Sequence, residues 1–246
     1  MRRLLVILLA LALAACGGAG AGGDSPAEQG SATLWVTRDR GAEVLLTATV
    51  PAGQTVVQAL DGEAEIETRY GGRFVQAIDG VEGNLARQED WFFFVNGIEP
   101  DVGGTEVVLE PGDVAWWDFR SWEQEAEAFV VVGAFPMPFT RGWRGTTRPV
   151  EVRAPPELAD AADALRPVLG GSGSGSPNVF ELAVDPGVDG AELTAQRALA
   201  NDAPVTFRLV GSETAVRAAA LALAADPAIV RYRYSARFDE SGAVIG

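Results

Sequence analysis

Trp91-Phe92-Phe93-Phe94-Val95-Asn96-Gly97 and Val114-Ala115-Trp116-Trp117-Asp118-Phe119, the second led by Pro111-Gly112-Asp113, decide how this chain folds. Short aromatic and β-branched runs bounded by Asn-Gly and Pro-Gly-Asp are strands punctuated by turns. Alternate side chains on a strand face opposite sides, so Trp91, Phe93 and Val95 share one face and Phe92 and Phe94 the other. By the same rule Trp116 opposes Trp117.

Upstream, Ala32–Thr37 and Glu43–Val50 read as a hairpin across Asp39-Arg40-Gly41. Pro51-Ala52-Gly53 breaks the sheet, and Thr55 caps a helix carrying Val56, Val57, Ala59 and Leu60 at helical spacing. Further strands are expected at Arg73–Ile78 and Thr105–Leu109. The order ββαββ with additional short strands predicts an α+β module of the β-grasp kind over residues 31–123.

Past Trp122-Glu123-Gln124-Glu125 the charge balance changes. Residues 31–123 carry 17 acids against 6 arginines, and residues 124–246 carry 15 against 11. We place a domain boundary there. In the second part, strands are expected at Ala128–Ala134, Val150–Arg153, Asn178–Val184, Pro204–Val210 and Val230–Phe238. Helices are expected from Pro156 to Leu165 and from Thr214 to Ala225, the latter capped by Ser212 or Thr214. This alternation predicts a small α/β sandwich over residues 124–246. Gly170–Pro177 is a low-complexity loop.

The strings Gln54–Leu60, Phe74–Val81, Trp91–Gly97 and Leu109–Trp116 together resemble the transcobalamin-like C-terminal domain family over about residues 32–122. The resemblance implies a β-grasp fold and, as in the animal carriers, one wall of a cobalamin site. The helical toroid that forms the other wall in those carriers has no counterpart in this sequence. Residues 129–246 are similar, on Val132–Phe139, to the domain that follows this module in some actinobacterial lipoproteins.

The chain opens Met1-Arg2-Arg3 and then runs without a polar residue from Leu4 to Ala15. A membrane-spanning helix needs about twenty apolar residues, so this is a signal peptide, residues 1–15. Leu13-Ala14-Ala15-Cys16 resembles the lipobox of bacterial lipoproteins, and Cys16 is the one cysteine of the 246 residues. Cys16 is therefore expected to take diacylglycerol and palmitate and to hold the protein on the extracytoplasmic face of the cell membrane. Residues 16–30 form a Gly-rich tether. With no other cysteine, no internal disulfide supports the fold.

A net charge of −15 repels nucleic acid. The absence of histidine removes the commonest general base and transition-metal ligand. No Ser-His-Asp or Cys-His arrangement exists, no phosphate-cradling glycine loop precedes a helix, and no metal site is expected. Glu89-Asp90 with Asp118 are paired carboxylates on paper, but acids are frequent enough to make a solvated face the plainer reading. Asp61, Glu63, Glu65 and Glu67 read as an acidic helix end rather than a calcium loop.

Two clusters remain. Trp91, Phe93, Asn96, Trp116, Trp117 and Trp122 form a candidate stacking surface for a flat ligand, since one helix covers only one face of a sheet. Packing by residues 124–246 would account for them equally well. Arg141, Trp143, Arg144 and Arg148 would either hold an anion or contact the acidic first half. The expected function is non-enzymatic: a membrane-tethered binder of a flat, corrinoid-like solute, working with an uptake transporter and requiring no resident cofactor. The alternative is a structural module contacting an envelope protein or wall polysaccharide. Cys16→Ala is expected to abolish incorporation of labelled palmitate and to release the protein from the membrane fraction, and undiminished labelling would refute the lipobox.

Overall fold

The computed structural model describes residues 30–123, 128–198 and 203–246. The leader, Cys16, the tether up to residue 29 and part of the expected boundary at 124–127 lie outside them. The chain is a mixed α/β protein, mostly sheet with few helices.

Strands β1 (Ser31–Arg38) and β2 (Glu43–Pro51) form the expected hairpin, antiparallel and offset by a bulge at Val36/Thr37. Helix α1 (Val56–Asp61) begins at Thr55, whose hydroxyl accepts from the Gln58 N–H while the Gln58 side chain accepts from the Thr55 N–H. This reciprocal box satisfies two donors that a helix start otherwise leaves without partners. Strands β3 (Ile66–Arg69), β4 (Phe74–Ile78) and β5 (Val81–Glu82) make a small antiparallel sheet in the order β3-β4-β5. The run from Asp61 to Glu67 thus leaves α1 and enters β3. Strands β6 (Glu89–Val95) and β7 (Val114–Ser121) complete a four-stranded sheet, β2-β1-β7-β6, in which β7 runs parallel to β1 and antiparallel to β6. Thr105–Leu109 is not a strand; it makes one bridge, Thr55 to Val108.

In the second part, helix α2 (Met137–Thr140) is a single turn, and β8 (Val150–Arg153) leads to helix α3 (Ala159–Leu169). β9 (Asn178–Val184), β10 (Ala191–Arg197), β11 (Val205–Gly211), helix α4 (Glu213–Ala225) and β12 (Ala236–Phe238) follow. The sheet order is β12-β10-β11-β9-β8, parallel at β8/β9 and β9/β11 and antiparallel elsewhere. Ser212 caps α4 by accepting from the Ala215 N–H.

Two expected strands fail. Ala128–Ala134 supplies a bridge at Val130 and then a 3-10 turn, Val132–Ala134, and Val230–Phe238 contains only the three residues of β12. The cause is close approach. A Cβ on Gly133 would lie 2.5 Å from the Arg233 nitrogen and 2.9 Å from the Trp116 ring. Both segments are thus shaped by what they cover.

The core of this part gathers Phe135, Phe139, Phe180 and Phe207, whose ring centroids lie 4.9–6.3 Å apart, beneath α3 and α4. Phe180 is fully buried. Phe180→Ala is expected to cost about 3–5 kcal/mol, read from urea unfolding; a loss below about 1 kcal/mol would contradict this packing.

Candidate functional site

Both faces of the four-stranded sheet are covered over β1, β7 and β6, while β2 at the edge is largely exposed. Trp91, Phe93, Trp117 and Phe119 pack with Val56, Val57 and Leu60 of α1 on one face, Phe93 stacking on Trp117 at 4.9 Å. On the other face Trp35, Phe94 and Trp116 meet Val131, Ala134, Tyr232 and Tyr234 of the second part. Trp116 is fully buried, with Tyr234 edge-on at 5.6 Å. Trp91, Trp116 and Trp117 are therefore core residues with Phe93 partly buried beside them, and of the two alternatives the sequence left open, a stacking surface or packing by the second part, packing is what covers Trp116. Trp122 stands apart and half-buried, its N–H donating to the Gln88 carbonyl.

Asn96 has a structural task. Asn96 and Gly97 have φ of +53° and +78°, the pair of left-handed residues a type I′ turn requires. The buried Asn96 amide donates to Asp113 Oδ1 (2.9 Å) and to the Gly142 carbonyl (3.3 Å), and its oxygen accepts from the Val114 N–H (3.0 Å). Asn-Gly and Pro-Gly-Asp, distant in sequence, are thus one bonded unit.

The basic cluster is spread along the seam between the two parts. Arg141 pairs with Asp113 at 3.0 Å and donates to the Pro111 carbonyl. Arg144 donates to the Glu106 carbonyl and lies 5.3 Å over Trp143, which packs against the cores of both parts. Arg148 donates to Ser176.

Asp118, weighed above beside Asp90, is buried on β7. It accepts from Thr37 Oγ1 (2.6 Å), Tyr234 Oη (3.0 Å) and the backbone N–H groups of Arg40 and Gly41 (3.1 Å each). Burial raises the Asp118 carboxyl above the usual carboxylate range, partly offset by these four donors. Tyr234 is likewise pushed well up by burial and by Asp118. Asp90 lies on the neighbouring strand β6, opposite Arg120, while Asp118 lies opposite Phe92.

Among the described residues, large apolar side chains are exposed at several places, and most strongly at one. Of the large apolar side chains exposed among the described residues, Leu85 (81% exposed) and Tyr70 (80%) are the two extremes, and Tyr70 is the one exposed aromatic. Both line a single open groove of about 480 Å³ at the β3-β4-β5 sheet, within the range of small-ligand sites. Tyr70 stands in the β3–β4 turn with φ of +54°, a left-handed backbone uncommon for so bulky a residue. Phe74 props its ring edge-on at 6.4 Å. Gln76 forms the buried floor, donating to Glu82 Oε1 and the Gly83 carbonyl at 3.2 Å each. Asn84 and Asp90 close the end; burial raises the Asp90 carboxyl, while the Trp91 N–H lowers it.

A larger cleft of about 540 Å³ lies between the two parts, walled by Arg40 and Arg197. Those arginines are engaged: Arg197 donates to the Glu99 and Phe129 carbonyls, and Arg40 lies over Tyr234 at 5.3 Å. Among the described residues no group of three or more acidic or cysteine side chains is arranged to hold a metal ion.

Residues 53–121 match a domain of unknown function, DUF4430. The match spans α1 to β7 and so contains the groove. Among solved structures, a protein of Ruminococcus gnavus ATCC 29149 provisionally described as metal binding is 13% identical, with a TM-score of 0.32 over 37% of this chain and 97% of that one. Haptocorrin in complex with Cbi is 18% identical, with a TM-score of 0.31 over 37% of this chain and 24% of that one. This chain thus spans about a quarter of haptocorrin's length, and at such scores neither likeness bears on the ligand. No curated protein matches the sequence.

The groove left no signal in composition. A Tyr-Gly-Gly turn was its one sequence mark, an aromatic where turns favour small polar residues.

Because the folded state holds the Asp118 proton more tightly than the unfolded chain does, ionising Asp118 lowers stability. The stability of the wild type relative to Asp118→Asn is expected to fall as pH rises from about 3.8 through the raised value and then to level off. Urea unfolding between pH 3.5 and 7 reads this, and a pH-independent difference would contradict it.

Proposed function

We propose that this chain is a non-enzymatic, lipid-tethered binding protein of the cell envelope. Cys16 holds it on the extracytoplasmic face of the membrane. Residues 31–123 form a β-grasp module that offers the Tyr70 groove to a flat solute, and residues 124–246 form a second small domain seated on the module's other face. The observation that carries this reading is the coincidence of the two most exposed apolar side chains, Tyr70 and Leu85, in one groove floored by polar groups. Water-exposed apolar surface next to fixed polar groups is the arrangement of a binding site.

The binding reading is preferred to catalysis because the four hydrogen-bond donors to the Asp118 carboxylate, Thr37, Arg40, Gly41 and Tyr234, all belong to the fold itself. A flat solute finds its exposed ring at Tyr70 rather than along the buried aromatic strands. The second reading, an interaction module touching wall polysaccharide, is favoured by the groove's openness to solvent and by its mixed apolar and amide lining. Delivery to an uptake transporter would follow from the tether, which keeps any bound solute close to the membrane.

The test is retention. The detergent-solubilised full chain, incubated with cobalamin and with an envelope-derived small-molecule and glycan fraction, is recovered and its retained species are identified by mass spectrometry. Wild-type protein is expected to retain a species that Tyr70→Ala retains about tenfold less. Equal retention by the two, or none by either, would overturn the reading.

A further inference from the structure

We propose that the Tyr70 groove is a carbohydrate subsite, taking one pyranose ring of an uncharged or amino-substituted glycan with the ring's C–H face against Tyr70. This rests on the reading of the groove as the binding surface and names its ligand class.

A pyranose ring has two chemically distinct parts: a patch of C–H bonds on its face and a rim of hydroxyls that both donate and accept. A protein complements the first with an aromatic ring and the second with planar amides and carboxylates, which can meet two neighbouring hydroxyls at once. The groove holds both halves of that complement. Tyr70 is 80% exposed, and Phe74 meets its ring edge-on at an interplanar angle of 67°. Leu85 supplies the facing apolar wall.

The polar lining is oriented. The amide nitrogen of Gln76 is held by Glu82 and the Gly83 carbonyl, which turns its oxygen to the acceptor role. The Asn84 oxygen accepts from the Arg87 N–H (3.0 Å), which makes its amide nitrogen the donor end. Asp90 Oδ1 takes the Trp91 N–H (2.9 Å), so Oδ2 is the acceptor. Donors and acceptors on a preset lining suit hydroxyls, which do both.

Charge sets the class. Arg69 is paired with Glu82 at 3.6 Å, so the remaining Asp90 leaves the groove negative, on a chain of net charge −15. Phosphorylated or uronic sugars, and nucleotides, would be repelled; a neutral or amino sugar would not. An apolar peptide side chain would leave Gln76, Asn84 and Asp90 facing it without partners, a desolvation cost that sugar hydroxyls avoid. Gly83 lets the Asp90 carboxylate approach this backbone, since a Cβ there would lie 2.5 Å from Asp90 Oδ1.

The experiment titrates the full-length lipoprotein, in a detergent without a sugar headgroup, by calorimetry. The probes are tetramers of N-acetylglucosamine, glucosamine and mannose, a uronic-acid tetramer, and cobinamide. At least one neutral or amino tetramer is expected to bind, the uronic tetramer about tenfold or more weaker, and Tyr70→Ala about tenfold weaker. Tyr70→Phe is expected to retain binding, with unfolding midpoints unchanged across the variants because Tyr70 is exposed. Failure of every neutral and amino tetramer, stronger binding of the uronic tetramer, or indifference to Tyr70→Ala would overturn the proposal. Cobinamide binding lost in Tyr70→Ala, with no tetramer bound, would refute the glycan class while leaving the groove a binding site. Silence from all five probes, together with no Tyr70-dependent retention from the envelope fraction, would refute both.

Discussion

The carboxylate of Asp118 joins three pieces of chain that sequence keeps far apart. Trp116 Nε1 donates to Thr37 Oγ1 (2.7 Å), and that hydroxyl donates to Asp118 Oδ1 (2.6 Å). The same carboxylate accepts the N–H groups of Arg40 and Gly41, which converge because Asp39, Arg40 and Gly41 all have positive φ, from +52° to +83°. Successive N–H groups in such a turn form an anion-binding concavity. Tyr234, from the far end of the chain, supplies the last donor. Hydrogen bonds in a buried chain polarise one another, and each donor here would be costly to orphan. Strand β1, its hairpin turn and the second part are therefore positioned by one carboxylate, whose own burial is tolerated because every side of it is bonded.

That constraint decides where function can sit. With Tyr234 drawn onto Asp118, Tyr232 and Tyr234 cover Trp35, Phe94 and Trp116, while α1 already covers Trp91 and Trp117. Asn96, Asp113 and Arg141 fasten the opposite end of the same seam. The sheet richest in aromatics thus becomes the interior of the molecule. On the proposed reading, ligand binding falls to the periphery, where Tyr70 and Leu85 stand in water beside the short β3-β4-β5 sheet.

Much of the architecture was legible in the sequence because local signals agreed with tertiary ones. The β1–β2 hairpin showed two β-rich runs across Asp39-Arg40-Gly41, α1 had Thr55 to cap it, α4 had Ser212, and the face assignments of Trp91 to Phe94 followed from period two. What stayed undecided was the count of covering elements: nothing in a strand's own residues says whether a second layer closes its other face. Ala128–Ala134 reads as a strand by propensity, but Gly133 is there to let Trp116 and Arg233 approach. β10, Ala191–Arg197, was invisible because Ala, Gln and Arg carry little strand propensity; pairing with β11 and β12 makes it one. The groove was hidden for a related reason, since Tyr70, Gln76, Leu85 and Asp90 meet only through the pairing of β3, β4 and β5 and the Asn84–Glu89 bridge at the start of β6.

The central claim, that the aromatic strands are interior and Tyr70 is the exposed ring, is open to one direct measurement. Hydroxyl-radical footprinting of the folded full-length protein, read by mass spectrometry, compares oxidation at Tyr70 with that at Phe94, Trp116 and Trp117. The account predicts rapid modification of Tyr70 and strong protection of the other three until the protein unfolds. Oxidation of Trp116 or Trp117 as fast as Tyr70 in the folded protein would contradict it.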